Sequence, residues 1–142
     1  MLKITTLFAI LILSFASFHT VSAFDGTQRA EIKNPRLVNS FGEAIVQNVN
    51  TNQQVQITAD VINQQNAEQT FVYIVQIVDG NGITSKLTWI AQIELNPHQS
   101  FSPAISWNPT SPGTYTAQIY VWDSIKDANA LAPQANLTIL VS

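Results

Sequence analysis

The sequence predicts an all-β fold, an antiparallel β-sandwich of about seven strands preceded by a cleavable signal peptide. Three observations carry this. Several stretches alternate apolar and polar residues with period two, the pattern of a strand that buries one face. Clusters of Gly, Pro, Asn and Asp interrupt the chain roughly every 8 to 12 residues, the spacing of sandwich turns. No stretch keeps a 3.6-residue period, so helix is expected to be nearly absent. A chain of 142 residues has room for one such domain.

The amino terminus is read first, because it sets the compartment. Met1-Leu2-Lys3 supplies one positive charge, Leu7 to Phe18 carries none, and Val21-Ser22-Ala23 ends the segment on small residues. A basic start, a short apolar run and a small-residue end make residues 1–23 a signal peptide cut after Ala23. Spanning a bilayer takes about 20 apolar residues, which this run lacks. No later segment is apolar enough either, so no transmembrane segment is expected after cleavage. The product is expected to be secreted or extracellular, at the cell surface.

Composition narrows the chemistry. Charged residues make up 11% of the chain, against about 25% in an ordinary soluble domain. From Phe24 onward there are five basic and nine acidic side chains, and 25 of 119 residues are Asn or Gln. Polarity is carried by amides. A net negative, weakly charged surface has no basic field for nucleic acid, so no nucleic-acid partner is expected. The absence of Cys removes disulfides, thiolate metal sites and thiol nucleophiles.

Phe24–Asn34 shows no sustained period and reads as an N-terminal linker, leaving 35–142 for the sandwich. Pro35–Asn39 is a candidate edge strand, with its proline at the start. Phe41-Gly42 ends it, and Ala44 to Val49 is expected to continue pairing on the other sheet. Val55, Ile57, Ala59 and Val61 form the inward face of a strand, followed by a polar turn at 63–69. Thr70 to Val78 (TFVYIVQIV) is β-branched and aromatic throughout. Asp79-Gly80-Asn81-Gly82 is hairpin chemistry. Ile83 to Leu95 supplies one long or two short strands. Phe101 to Trp107, Tyr115 to Trp122 and Ala135 to Val141 supply the rest, with turns at 96–99 and 108–113 and a loop at 123–133.

Tyr115 follows a Pro-Gly turn and precedes Ala117 by two residues, the place of a tyrosine corner in an immunoglobulin-like sandwich. Ala59 and Ala117 fall near the positions that hold the inter-sheet disulfide of antibody domains. VQITADVIN (55–63), FVYIVQIVDGNG (71–82), SFSPAISWNPTSPGTYTAQIYVWDS (100–124) and LTILV (137–141) together resemble a known group. They are similar to the CARDB-like, immunoglobulin-like (fibronectin type III-like) domains of secreted archaeal and bacterial cell-surface proteins. That resemblance implies an extracellular adhesion or scaffold role and brings no catalytic residues with it.

The residues themselves give little to an enzyme. His98 is the one imidazole after the signal peptide, sits in a Pro-His-Gln turn, and has no Gly-x-Ser-x-Gly elbow to serve. Glu43, Asp60, Glu68 and Glu94 are isolated carboxylates. Asp79 opens an Asp-x-Asn spacing, but the twelfth position of a calcium loop would be Ile90, so a turn is the better reading. No catalytic residue, metal site or cofactor is expected.

Aromatic residues are the sharper signal. With Gln76 and Gln118 marking outward faces, Val72, Ile74, Tyr120 and Trp122 fall on the outer face of two neighbouring strands. Such a patch is expected either to contact something or to lie under the 123–134 loop or the N-terminal segment. Trp107 shares a face with Phe101 and Ile105 and is expected in the core, and Trp89 is expected to be buried too. Asn136-Leu137-Thr138 is a possible glycosylation sequon. The expected function is therefore non-catalytic: protein binding, adhesion or surface assembly, with an unidentified protein or cell-surface component, or the chain itself, as partner. A carbohydrate-binding module using the aromatic patch is the alternative, and a pilus or layer subunit growing through strand edges is a third reading.

Overall fold

The computed structural model describes residues 25–142, so the expected signal peptide and its cut after Ala23 lie outside the described residues. After a 3-10 turn at Gly26–Gln28 come the strands β1 (Ala30–Val38), β2 (Ala44–Ile45), β3 (Asn48–Val49), β4 (Val55–Asn63) and β5 (Gln69–Asp79). They are followed by β6 (Thr84–Leu95), β7 (Ser100–Phe101), β8 (Ala104–Trp107), β9 (Gly113–Trp122) and β10 (Ala135–Val141). The strands form two sheets. In the first, β4 pairs with β1 on one side and with β7 and β8 on the other, and β2 adds to β1. The second runs β3-β10-β9-β5-β6. The all-β immunoglobulin-like sandwich is thus the observed fold.

Each sheet contributes its alternate residues to one core. From the first sheet come Val55, Ile57, Ala59 and Val61, and from the second Phe71, Tyr73, Val75, Ile77, Ala117, Ile119 and Ile139. Ala59 and Ala117 are both fully buried. At one end the sheets are joined by rings. Trp107 of β8 and Tyr115 of β9 meet edge to face, with centroids 5.1 Å apart at 66°, a contact that favours the ring quadrupoles. The Tyr115 hydroxyl donates to the Ser111 carbonyl at 3.0 Å, which makes it the expected tyrosine corner. Trp107 is buried, as its parity requires.

Three boundaries differ from the sequence reading, and each has a local cause. Residues 30–34 are not linker. They pair with β4 from Ala30↔Asn63 to Lys33↔Asp60 before the register shifts at Pro35. Asn34 has φ 49 there, so a bulge breaks the alternation that would have exposed the strand in the sequence. The Phe101–Trp107 segment is two short strands, because Pro103 interrupts the ladder to β4. The 44–49 segment divides: Ala44–Ile45 stays on β1, and Asn48–Val49 crosses to run parallel to β10.

One core side chain is out of balance. The Tyr73 hydroxyl is buried with no hydrogen-bond partner among the described residues, and burial pushes its ionisation above the usual phenol range. A buried hydroxyl that is left unpaired costs roughly 1–3 kcal/mol. The same substitution should therefore have opposite signs at two tyrosines. Tyr73→Phe is expected to raise the free energy of urea unfolding by about 1 kcal/mol, and Tyr115→Phe, which loses the bond to Ser111, to lower it by about 1 kcal/mol. Destabilisation by both would show that the Tyr73 hydroxyl is satisfied.

Candidate functional site

The outer face of the second sheet is assembled around β5. Phe71, Tyr73, Val75 and Ile77 turn inward, which leaves Val72, Ile74, Gln76 and Val78 outward. The β5–β9 register sets Val72 opposite Trp122, Ile74 opposite Tyr120 and Gln76 opposite Gln118. All four residues of the expected patch therefore share one face. Their accessibility differs from expectation. Val72 and Ile74 are each only 4% exposed, because they stand between larger neighbours in register, and they are not available as contact residues. Tyr120 and Trp122 are half-buried, with ring centroids 6.1 Å apart and tilted by 59°.

The sixth strand completes the face. Ile74 lies opposite Trp89, and Gln76 opposite Leu87. Trp89 is 51% exposed and Leu87 55%, so the expected burial of Trp89 is corrected. The cause is one residue. Next to the turn the hairpin pairs Val78 with Thr84, but beyond a bulge it pairs Ile77 with Lys86. Without that insertion Tyr73 would face Trp89, and the indole would point into the core. A one-residue slip exchanges the two faces of a strand. The sequence signal was the shared parity of Leu87, Trp89 and Ala91, but parity alone does not say which side is in.

The accessible part of the face is thus Trp89 and Leu87 on β6 and Tyr120 and Trp122 on β9, set on either side of the covered Ile74, with Gln76 and Gln118 beyond. The loop after β9 folds back along the end of that strand, with Ala130 bridging Trp122. Leu131 and Ala132 turn into the core, and Ile125 is exposed. The loop is held from within by Asp123, which accepts the backbone N–H groups of Ser124 (2.6 Å) and Asn129 (3.0 Å) and the Asn129 amide (2.8 Å). Partial burial raises the Asp123 pKa, but these bonds outweigh it and hold the carboxyl below its ordinary value.

The remaining candidates are placed as follows. His98 is exposed in its turn, with φ 59, and its Nε2 lies 3.0 Å from Asn66 Oδ1. Asp79 Oδ1 accepts the backbone N–H groups of Asn81 and Ile83, each at 2.9 Å, which is a turn. Glu43 accepts from the Asn39 amide at 2.8 Å, while Glu68 and Glu94 are exposed. Asn136 is exposed on β10, with its Oδ1 accepting from the Gln134 amide. Among the described residues no group of three or more His, Cys, Asp or Glu is placed to hold a metal. Among them, too, no helix is long and apolar enough to cross a membrane.

The family model described as S-layer A-like (SlaA-like) matches residues 14–128. No curated protein matches the chain. Among solved structures it is similar to the C-terminal domain of wzt, with TM-score 0.68, 14% identity, and 82% of this chain and 75% of that one covered. It is also similar to a CARDB domain from Pyrococcus furiosus solved with di-metal ions, with TM-score 0.52, 19% identity, and 79% and 89% covered. A Paenibacillus cycloisomaltooligosaccharide glucanotransferase matches at TM-score 0.56 and 20% identity over 80% of this chain, which spans only 14% of that enzyme. At these identities the likenesses establish the fold.

Asp60, the last of the isolated carboxylates, ties the first sheet together. It accepts from Asn34 Nδ2 (2.9 Å), Arg36 Nη1 (2.9 Å) and Ser102 Oγ (2.7 Å). The Asn34 and Ser102 bonds, with Arg36 beside them, outweigh partial burial and lower its pKa. A lowered folded pKa gives stability that is full above the unfolded value of about 3.9 and is lost as pH falls through the folded value. Asp60→Asn should therefore be less stable than wild type at pH 7. In urea titrations the difference should shrink toward zero between roughly pH 4 and pH 2. A gap that stays constant over that range would remove the ionised carboxylate from the account.

Proposed function

The chain belongs to the S-layer A-like family, and from that premise we infer that it is an exported cell-surface module that works by protein contact. The observation that carries this reading is the outer face of the second sheet. Leu87 and Trp89 are more than half exposed and share that face with the half-buried Tyr120 and Trp122, one strand away across β5. Aromatic residues with little charge around them are the composition of an interface core. A Trp that keeps half its surface in water without a partner gains little from its position, whereas desolvating it against another protein can make it a hot spot.

The sandwich supports a contact role in a second way. Asp60 and Arg36 pair with each other within the first sheet, and His98, the one imidazole among the described residues, lies in a turn beside Asn66. The carbohydrate reading has less behind it. A flat platform for a sugar chain wants rings close to coplanar, and Tyr120 and Trp122 are tilted by 59°.

The test uses substitutions that leave the core alone. The pair Leu87→Ser and Trp89→Ser is expected to fold with an unfolding midpoint close to wild type, because both side chains are already largely in water. On the producing cells the variant should be released to the medium, with at least a tenfold loss from the surface fraction. Full retention of the folded variant would contradict the reading. Release of the wild-type chain by free glycans, with no protein cross-linked to Trp89, would favour the carbohydrate alternative.

A further inference from the structure

A sandwich must manage the ends of its sheets, since an open strand edge offers N–H and C=O groups to any passing chain. The long edges of this molecule are mostly guarded. Along β1 stand Glu31, Lys33 and Arg36, with Pro35 and a bulge between Lys33 and Arg36. Along β6 stand Lys86 and Glu94, and two irregularities interrupt its pairing. The short β8 has its Ser106 carbonyl occupied by Lys86 Nζ at 3.0 Å.

The tenth strand has none of these devices. Ala135–Val141 (ANLTILV) contains no charge and no proline, and it pairs with β9 without a register shift. On its other side β3 takes only Leu140 and Val141. The Leu140 N–H donates to the Gln47 carbonyl and the Ser142 N–H to that of Val49. Alternation along the strand then points the N–H and C=O groups of Asn136 and Thr138 away from β9 as well. Among the described residues nothing pairs with them. The slot is closed at one end by β3 and at the other by Pro133, where the chain leaves toward the core.

We propose that the open edge of β10 is a self-association site, at which Ala135–Ile139 pairs antiparallel with the same segment of a second copy about a two-fold axis. The site fits itself. With Leu137 on the axis, Asn136 faces the partner's Thr138, Ala135 faces the partner's Ile139, and about four backbone hydrogen bonds form. Both strands then end where the other copy's β3 begins. Pairing about a two-fold axis sets a strand against its own sequence, so any charged strand risks meeting its own charge, which is destabilising directly across a ladder. Ala135–Ile139 is free of that conflict, and β1 and β6 are not. The edge also forms one wall of a groove of about 420 Å3, where Ala30, Ile32 and Ala135 stand among the polar Glu31, Gln64 and Gln134, so a second copy there meets mixed apolar and polar surface. The two second sheets become one continuous sheet, with both outer faces left free. This rests on the surface-module reading for its purpose, since a layer needs contacts between copies, but it uses different residues from that reading.

The experiment follows the oligomeric state of the mature chain by sedimentation velocity over a concentration series. The chain is produced in a host without N-glycosylation, so that Asn136 carries no glycan. Wild type is expected to dimerise as concentration rises. The double variant Asn136→Lys and Thr138→Lys, folded by circular dichroism, should weaken the dimer at least tenfold. Mixing it with the Asn136→Glu and Thr138→Glu variant should restore a mixed dimer, because the opposite charges then face each other. The Leu87→Ser, Trp89→Ser variant should dimerise like wild type, which separates this proposal from the contact-face reading. A wild type that stays monomeric overturns it, as does a dimer that survives the lysines or a lysine–glutamate mixture that does not pair.

Discussion

Everything on the functional side of this molecule depends on how β5 pairs. It lies inside the second sheet, between β9 and β6, and it is apolar on both faces over Phe71–Val75. A strand in that position cannot slide. Shifting it by one residue would expose Phe71 and Tyr73 and bury glutamine, so the hydrophobic effect fixes its register against both neighbours. Once the inward face is fixed, the outward face follows, and with it the neighbours of Val72 and Ile74. The bulge near the hairpin turn then decides the rest. One extra residue on β6 is enough to direct Trp89 and Leu87 to solvent.

The low charge of the chain has a structural explanation in this arrangement. Fixed charge is costly to desolvate wherever side chains are partly covered, as they are across the second sheet. Amides and hydroxyls give solubility at lower cost, and many of them also close turns. Asn63 is buried and its amide donates to the carbonyls of Ala67, Leu95 and Asn96, so one side chain ties together two connections at one end of the sandwich. The ionised groups that remain are used similarly, as Asp60 and Asp123 are. In a chain without cysteine, such bonds and the Trp107–Tyr115 ring contact hold the ends of the sandwich, while the alternating core holds its middle.

Much of this was legible in the sequence, and the parts that were not share a cause. Regular alternation reveals β4, β9 and β10, the Pro-Gly-Thr-Tyr turn reveals the tyrosine corner, and Asp-Gly-Asn-Gly reveals the hairpin. Irregularity hides the rest. The bulge at Asn34-Pro35 concealed the first half of β1, and the bulge on β6 reversed the expected placement of Trp89. The patch could be located from Gln76 and Gln118, but the covering of Val72 and Ile74 could not. It follows from the size of the side chains that happen to stand across from them on two other strands.

The account makes Trp89 an exposed ring when the protein is free and a covered one when it is at work. Hydroxyl-radical footprinting of the chain, free in solution and assembled on the surface of its own cells, measures that directly. Trp89 should be heavily modified in the free protein and strongly protected in the assembled one, with buried Trp107 little modified in either. Equal modification of Trp89 in both states would contradict the outer face of the second sheet as the contact surface.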